Sequence, residues 1–178
     1  MEKVKVFIDN SNVYKCLAEL NIVDSGWIKQ YDPFFLSQKL VGSNRELVGV
    51  NFYCTNPPAI MKTKNPKAFA AQESYYSKVE DLKEVSVYYG TLTMNDGQYF
   101  EKNLDTQMAV DIMEGAYLNH YDTLIIVSSD GDFESSVRKV RDIGKRVEVL
   151  YFKNHFSQSL KRVSDLKRKA RQSYFKQI

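Results

Sequence analysis

Thr123-Leu124-Ile125-Ile126-Val127-Ser128-Ser129-Asp130-Gly131-Asp132-Phe133 is the stretch whose reading decides the fold. An unbroken apolar run this short, rich in β-branched residues and closed by small polar ones, predicts a strand buried on both faces. Phe133, Val137 and Val140 then share one helical face, and Gly144 stands where a helix C-cap belongs. A doubly buried strand followed by a helix is the repeating unit of a parallel sheet covered on both sides. Working outward, the same pattern recurs at Val4 to Asp9, where Val13, Cys16, Leu17 and Leu20 form the following helical face. Further strands are predicted at Leu47 to Cys54, Glu84 to Thr91 and Arg146 to Phe152, and further helices at about Pro33 to Val41, Pro66 to Lys83 and Leu104 to Asn119. The prediction is an α/β three-layer sandwich with a five-stranded, mainly parallel sheet. Asn95-Asp96-Gly97 adds a small β-hairpin extension to the third strand.

A chain of 178 residues with 43% hydrophobic and 13% aromatic content has enough apolar surface for one self-sufficient core. No apolar run approaches the length of a membrane span, and no signal-peptide pattern precedes the first strand, so a cytoplasmic protein without a membrane partner is expected. Two cysteines far apart, Cys16 and Cys54, with only His120 and His155 as imidazoles, argue against a Cys/His zinc site. The small net charge of +3 hides an asymmetry. From residue 153 to 178 there are eight basic residues against Asp165 alone, a net +7 that leaves −4 on the first 152 residues. Residues 1–152 are therefore read as the α/β domain and 153–178 as a basic helical tail, either solvated or meeting nucleic acid.

Strand topology sorts the acids. Asp9 closes the first strand, and Asp130 and Asp132 follow the fourth. If right-handed crossovers place strands two and three on one side of strand one and strands four and five on the other, strands one and four are neighbours. Their carboxyl ends form the switch-point crevice where open α/β sheets bind ligands. Asp105 opens the helix after the hairpin and reaches the rim of the same crevice, whereas Asp111 is rotated away as an outer or surface acid. Each acid alone reads equally well as a helix cap or turn residue. Together they gather like charges at one sheet edge, a conflict that a divalent cation relieves. Oxygen donors without His or Cys select Mg²⁺ or Mn²⁺. Asp9, Asp105, Asp130 and Asp132 are the candidate catalytic and metal-ligating residues, with Asn12, Ser128 or Ser129, and Lys102 as candidates for phosphate or bound water.

Asp9-Asn10-Ser11-Asn12 after a strand, Lys102-Asn103-Leu104-Asp105 opening a helix, and Ser128-Ser129-Asp130-Gly131-Asp132-Phe133 after a later strand resemble the NYN domain of LabA-like proteins, within the PIN-like nuclease superfamily. The resemblance runs from about residue 4 to 152. It implies sheet order 3-2-1-4-5, a Mg²⁺ or Mn²⁺ site at the positions of Asp9, Asp105, Asp130 and Asp132, and cleavage of RNA. Two positions depart from the family pattern: Asn103 and Ser129 each stand where the family commonly has Gly. The reading is a metal-dependent ribonuclease acting on single-stranded or loop RNA through metal-activated water. The alternative is a nucleic-acid-binding regulatory module with little or no cleavage. A homo-oligomer is left open.

Overall fold

The computed structural model describes residues 1–20, 30–95, 98–176 and 178, with backbone alone for 18–19, 92–95 and 98–102. Seven strands form one sheet: β1 (Lys3–Asp9), β2 (Glu46–Thr55), β3 (Val85–Asn95), β4 (Gln98–Lys102), β5 (Thr123–Val127), β6 (Arg146–Tyr151) and β7 (Leu166–Lys169), in the order β4-β3-β2-β1-β5-β6-β7. Six run parallel, and only β4 pairs antiparallel, with the distal half of β3. The predicted five parallel strands and their order are present, with one strand added at the β6 edge. The hairpin is present too, although Asp96 and Gly97 of its turn lie outside the described residues.

The α1 helix (Asn10–Cys16), α2 (Pro33–Val41) and α4 (Pro66–Glu80) cover one face of the sheet, packing on Val4, Val6, Ile8 and Phe52. On the other face α5 (Leu104–Tyr117), α6 (Glu134–Asp142) and α7 (Gln158–Val163) pack on Phe7, Tyr53, Leu124 and Ile126. Alternation along β1 sends Phe7 and its neighbours Val6 and Ile8 to opposite layers, as a two-residue period requires. The predicted helices form with ends shifted by a few residues. The Pro-rich connection 55–66 contains a single turn, α3 (Met61–Lys64), and Gly144 follows α6 with φ +92°. Both cysteines are buried and neither forms a disulfide among the described residues, and no helix among the described residues is long and apolar enough to cross a membrane.

Among its described residues the segment 153–178, expected as a helical tail, is helical over α7 and a final 3₁₀ turn at Gln172–Tyr174. Between them β7 pairs with β6, placing Lys167 and Lys169 outward while Arg168 reaches the buried Glu148 at 2.9 Å. Arg45 meets the same carboxylate at 2.8 Å and donates to the Leu40 and Val41 carbonyls at the end of α2. A buried glutamate demands such partners, and they tie the last strand to the second layer.

Candidate active site

Asp9 ends β1 opposite Tyr53 of β2, one residue beyond the last β1–β5 pair, Ile8 and Val127. Its chain then turns into α1, and the carboxylate caps that helix by accepting from the Asn12 backbone N–H at 3.0 Å through Oδ1. The other oxygen, Oδ2, accepts from the Ser128 hydroxyl at 2.9 Å. Asp9 is only 5% exposed. Burial pushes its carboxyl up to about 6; the bonds from Asn12 and Ser128 pull the other way, and the nearby charges of Asp105 and Asp130 push it further up.

The loop after β5 is held from three sides. The Ser128 hydroxyl that donates to Asp9 also accepts from the Asp130 N–H at 3.1 Å, so one oxygen spans both acids' segments. Asn12 accepts from the Ser129 N–H at 3.0 Å, and Asp130 accepts from the Asp132 N–H at 3.1 Å. Ser129 accepts from the Phe152 N–H at 2.9 Å through its hydroxyl, and its carbonyl accepts from the Ser157 N–H at 3.0 Å. A glycine there, as in the family pattern, would leave the Phe152 amide without that acceptor. Gly131 is required by a close approach: a Cβ there would stand 2.6 Å from the Ser157 Oγ.

Asp105 and Asp132 are exposed and line a groove of about 720 Å³ between α5 and α6, together with Thr106, Val110, Met113 and Phe133. Neither Asp9 nor Asp130 lines it. Asp105 and Asp130 nevertheless each raise the Asp9 pKa, so both lie within electrostatic reach of Asp9; Asp132 is joined to Asp130 through its backbone bond. Asn103, not Asp105, takes the N-cap position of α5, with φ +71° and no side-chain capping bond. The family glycine at this place answers the same left-handed backbone, which Asn tolerates better than other non-glycine residues. The Lys102 backbone pairs with Thr91, and its side chain lies outside the described residues.

Sequence reasoning passed over two contacts around this site. Asn10 is buried beside Asp9 and accepts from the Tyr31 hydroxyl at 3.1 Å, while the Tyr31 carbonyl accepts from Tyr75 at 3.0 Å. Asp111, expected as an outer acid, is half-buried and accepts from the Tyr53 hydroxyl at 2.7 Å and from Gln107 at 2.7 Å. Asp-Asn after a strand was the signal available for Asn10; nothing in the sequence joins Tyr53 to Asp111.

Among the described residues no three His, Cys, Asp or Glu side chains converge at metal-ligand spacing. The described residues therefore form no closed cage of protein ligands. The donor chemistry still fits Mg²⁺ or Mn²⁺, because Mg²⁺ keeps several waters and is commonly held by one or two carboxylates plus substrate phosphate. A buried acid with a raised pKa beside two further carboxylates is a place where a cation would relieve repulsion.

A parallel sheet with helices on both faces and acids at the carboxyl ends of its central strands defines a Rossmann-type, PIN-like protein. The NYN domain model matches residues 3–168, and the chain belongs to that PIN-like nuclease family. Its match runs through α7 and into β7. The fold is also similar to the crystal structure of VPA0982, a protein of unknown function from Vibrio parahaemolyticus RIMD 2210633, with a TM-score of 0.71 and 21% identity over 98% of this chain and 96% of that one. No curated protein matches the sequence.

Proposed function

We propose that the protein is a ribonuclease that hydrolyses RNA phosphodiester bonds with Mg²⁺ or Mn²⁺ at Asp9, Asp105, Asp130 and Asp132. The observation that carries this reading is the Ser128 hydroxyl, which bonds Asp9 and the Asp130 amide at once and so fixes two carboxylate-bearing strand ends together. Asp9 and Asp130 are the residues best placed to hold the ion, with Asp105 and Asp132 acting from the groove rim through water. Bound there, the ion supplies a water of lowered pKa and neutralises charge on the leaving oxygen. Ser128 has both its donor and an acceptor site engaged, so it orients Asp9. Asn12 commits its side-chain oxygen to Ser129 and keeps its NH₂ group for phosphate.

Family membership supports a nucleic-acid substrate. The exposed cations of 153–178, Lys153, Lys161, Arg162, Lys167, Lys169, Arg171 and Lys176, provide sequence-independent affinity for its backbone. Incubating labelled RNA and DNA with and without each metal, beside Asp9→Asn and Asp130→Asn, tests the reading. RNA cleavage that needs the ion, leaves 5′-phosphate and 3′-hydroxyl ends and drops by orders of magnitude in both variants is expected. Metal-independent cleavage, or 2′,3′-cyclic ends, would overturn it. Salt-dependent RNA binding with no cleavage would instead make the protein a binding module.

A further inference from the structure

Three aromatic rings form a ladder across β1, β2 and β3: Phe7 and Tyr53 lie 6.4 Å apart and 11° from parallel, and Tyr53 and Tyr88 lie 4.9 Å apart and 14° from parallel. Tyr53 covers one face of Tyr88. Among the described residues no strand backbone takes the next place outward in the sheet at this level, because β4 pairs with β3 only from Thr91 to Asn95. Tyr88 is half-buried there and lines a groove of about 290 Å³ with Gly90, Thr91, Asn103, Leu104 and Gln107. Its volume lies at the lower end of the range for small-molecule sites, about right for one planar ring rather than a whole nucleotide.

Every described residue lining this groove is uncharged. It opens beside the start of α5, and Asp105 is the next residue after Leu104. A cation-holding acidic site beside an uncharged, aromatic recess suits the two parts of a nucleotide, phosphate at the ion and base in the recess. The rim carries suitable hydrogen-bonding groups. Gln107 gives its NH₂ to Asp111 and retains an acceptor oxygen, and the Asn103 amide makes no capping bond.

Resting on the ribonuclease reading, we propose that this groove holds one unpaired base of the RNA, stacked on Tyr88 with its edge toward Asn103 and Gln107. Tyr75 and Tyr76, by contrast, are buried in the core and unavailable for stacking. Single-stranded RNA presents a π-face at every position, so the contact adds affinity and excludes paired RNA without reading sequence.

The test measures binding of the full chain to fluorescein-labelled single-stranded RNA in a chelator, so that cleavage plays no part. Tyr88→Leu should weaken binding roughly tenfold, as loss of one stacked base does, and Tyr88→Phe should stay within about twofold of wild type because the ring remains. Because Tyr88→Leu can disturb the ladder, photocrosslinking of 4-thiouridine RNA to the wild-type chain runs alongside. Crosslinks mapping to Tyr88, Asn103 or Gln107 support the groove. Crosslinks confined elsewhere, or unchanged affinity in folded Tyr88→Leu, overturn it. Metal-dependent cleavage by wild type with affinity indifferent to Tyr88 would sink this inference alone, whereas absence of both RNA binding and cleavage would sink the ribonuclease reading as well.

Discussion

Ser128 donates its hydroxyl to Asp9 at 2.9 Å across 119 positions of sequence. The bond exists because β1 and β5 are adjacent and parallel, so their carboxyl ends arrive side by side. It also sets the electrostatics of the site. A carboxylate accepting two hydrogen bonds would ordinarily have a lowered pKa, yet Asp9 sits at about 6, so burial outweighs both bonds. The fold therefore holds an acid that is costly to ionise at the place where the proposed metal site would need an anion.

The first consequence is for stability. Asp9 has a folded value of about 6 against an ordinary 3.8, so the folded state binds its proton more tightly than the unfolded chain does. The associated stability is fully present below about 3.8, is lost as pH rises from there to about 6, and is flat above. At about 1.4 kcal/mol per pH unit, the loss is on the order of 3 kcal/mol. Asp9→Asn, which cannot ionise, should be at least as stable as wild type at pH 7.5 and lose that advantage at pH 4. Chemical denaturation of both proteins at the two pH values checks this. An advantage that persists unchanged at pH 4 would show that ionisation is not its source.

Cation binding should carry the opposite pH dependence. Asp9 must shed its proton to become a ligand, so apparent Mn²⁺ affinity should rise up to tenfold per pH unit below about 6 and level off above it. Calorimetric titration in two buffers of different ionisation heat should detect release of up to one proton per ion at pH 5.5 and little at pH 8. In Asp9→Asn both the proton release and the pH slope should disappear. A slope retained in that variant would assign the linkage to another carboxylate.

The placement of the candidate site's acids was legible in part because strand ends are. Apolar runs located β1 and β5, handedness of crossovers made them neighbours, and Asp9 and Asp130 followed as residues at their carboxyl ends. The acids on the groove were harder to order: helix periodicity put Asp105 at the rim, but not the loop clamp that leaves Asp132 exposed and Ser128 central. The last strand was illegible for a different reason. Leu166-Lys167-Arg168-Lys169 carries three cations in four residues, a composition that reads as a solvated helix. At a sheet edge, outward lysines are a common protection against further pairing, and Arg168 is accepted only because Glu148 lies buried on the neighbouring strand. That pairing is tertiary and leaves no local signature.

Gly131 should resist even alanine. The added Cβ would meet the Ser157 Oγ at 2.6 Å and the Ser159 Oγ at 2.9 Å, two hydroxyls bonded to each other at 2.8 Å. Gly131→Ala should cost about 1–3 kcal/mol by overpacking. Ser157 makes no side-chain capping bond to α7, so Ser157→Gly alone should cost only a few tenths of a kcal/mol. Combined, the two changes should recover most of the lost stability, giving a clear coupling in a double-mutant cycle by denaturant unfolding. Simple additivity would place the strain elsewhere.

Ending the chain at residue 152 should remove the domain's stability rather than trim an appendage. The removed segment contributes β7, and with it the bond from the Ala170 N–H to the Tyr151 carbonyl at 2.8 Å and from the Asp165 N–H to the Val147 carbonyl at 2.8 Å. It also carries Leu160, fully buried against the α5–α6 layer, and Phe175, which packs on Tyr31 with ring centroids 5.4 Å apart. Glu148 would lose Arg168 and keep Arg45 and Arg146, leaving a buried charge less compensated in a strand that has become an exposed edge. Circular dichroism should show cooperative melting for residues 1–178 and none for 1–152. Arg168→Met in the full chain should fall between them, because it removes one arginine while retaining the strand. A fragment that melts cooperatively within a few degrees of the full chain would restore 153–178 to the status of a tail.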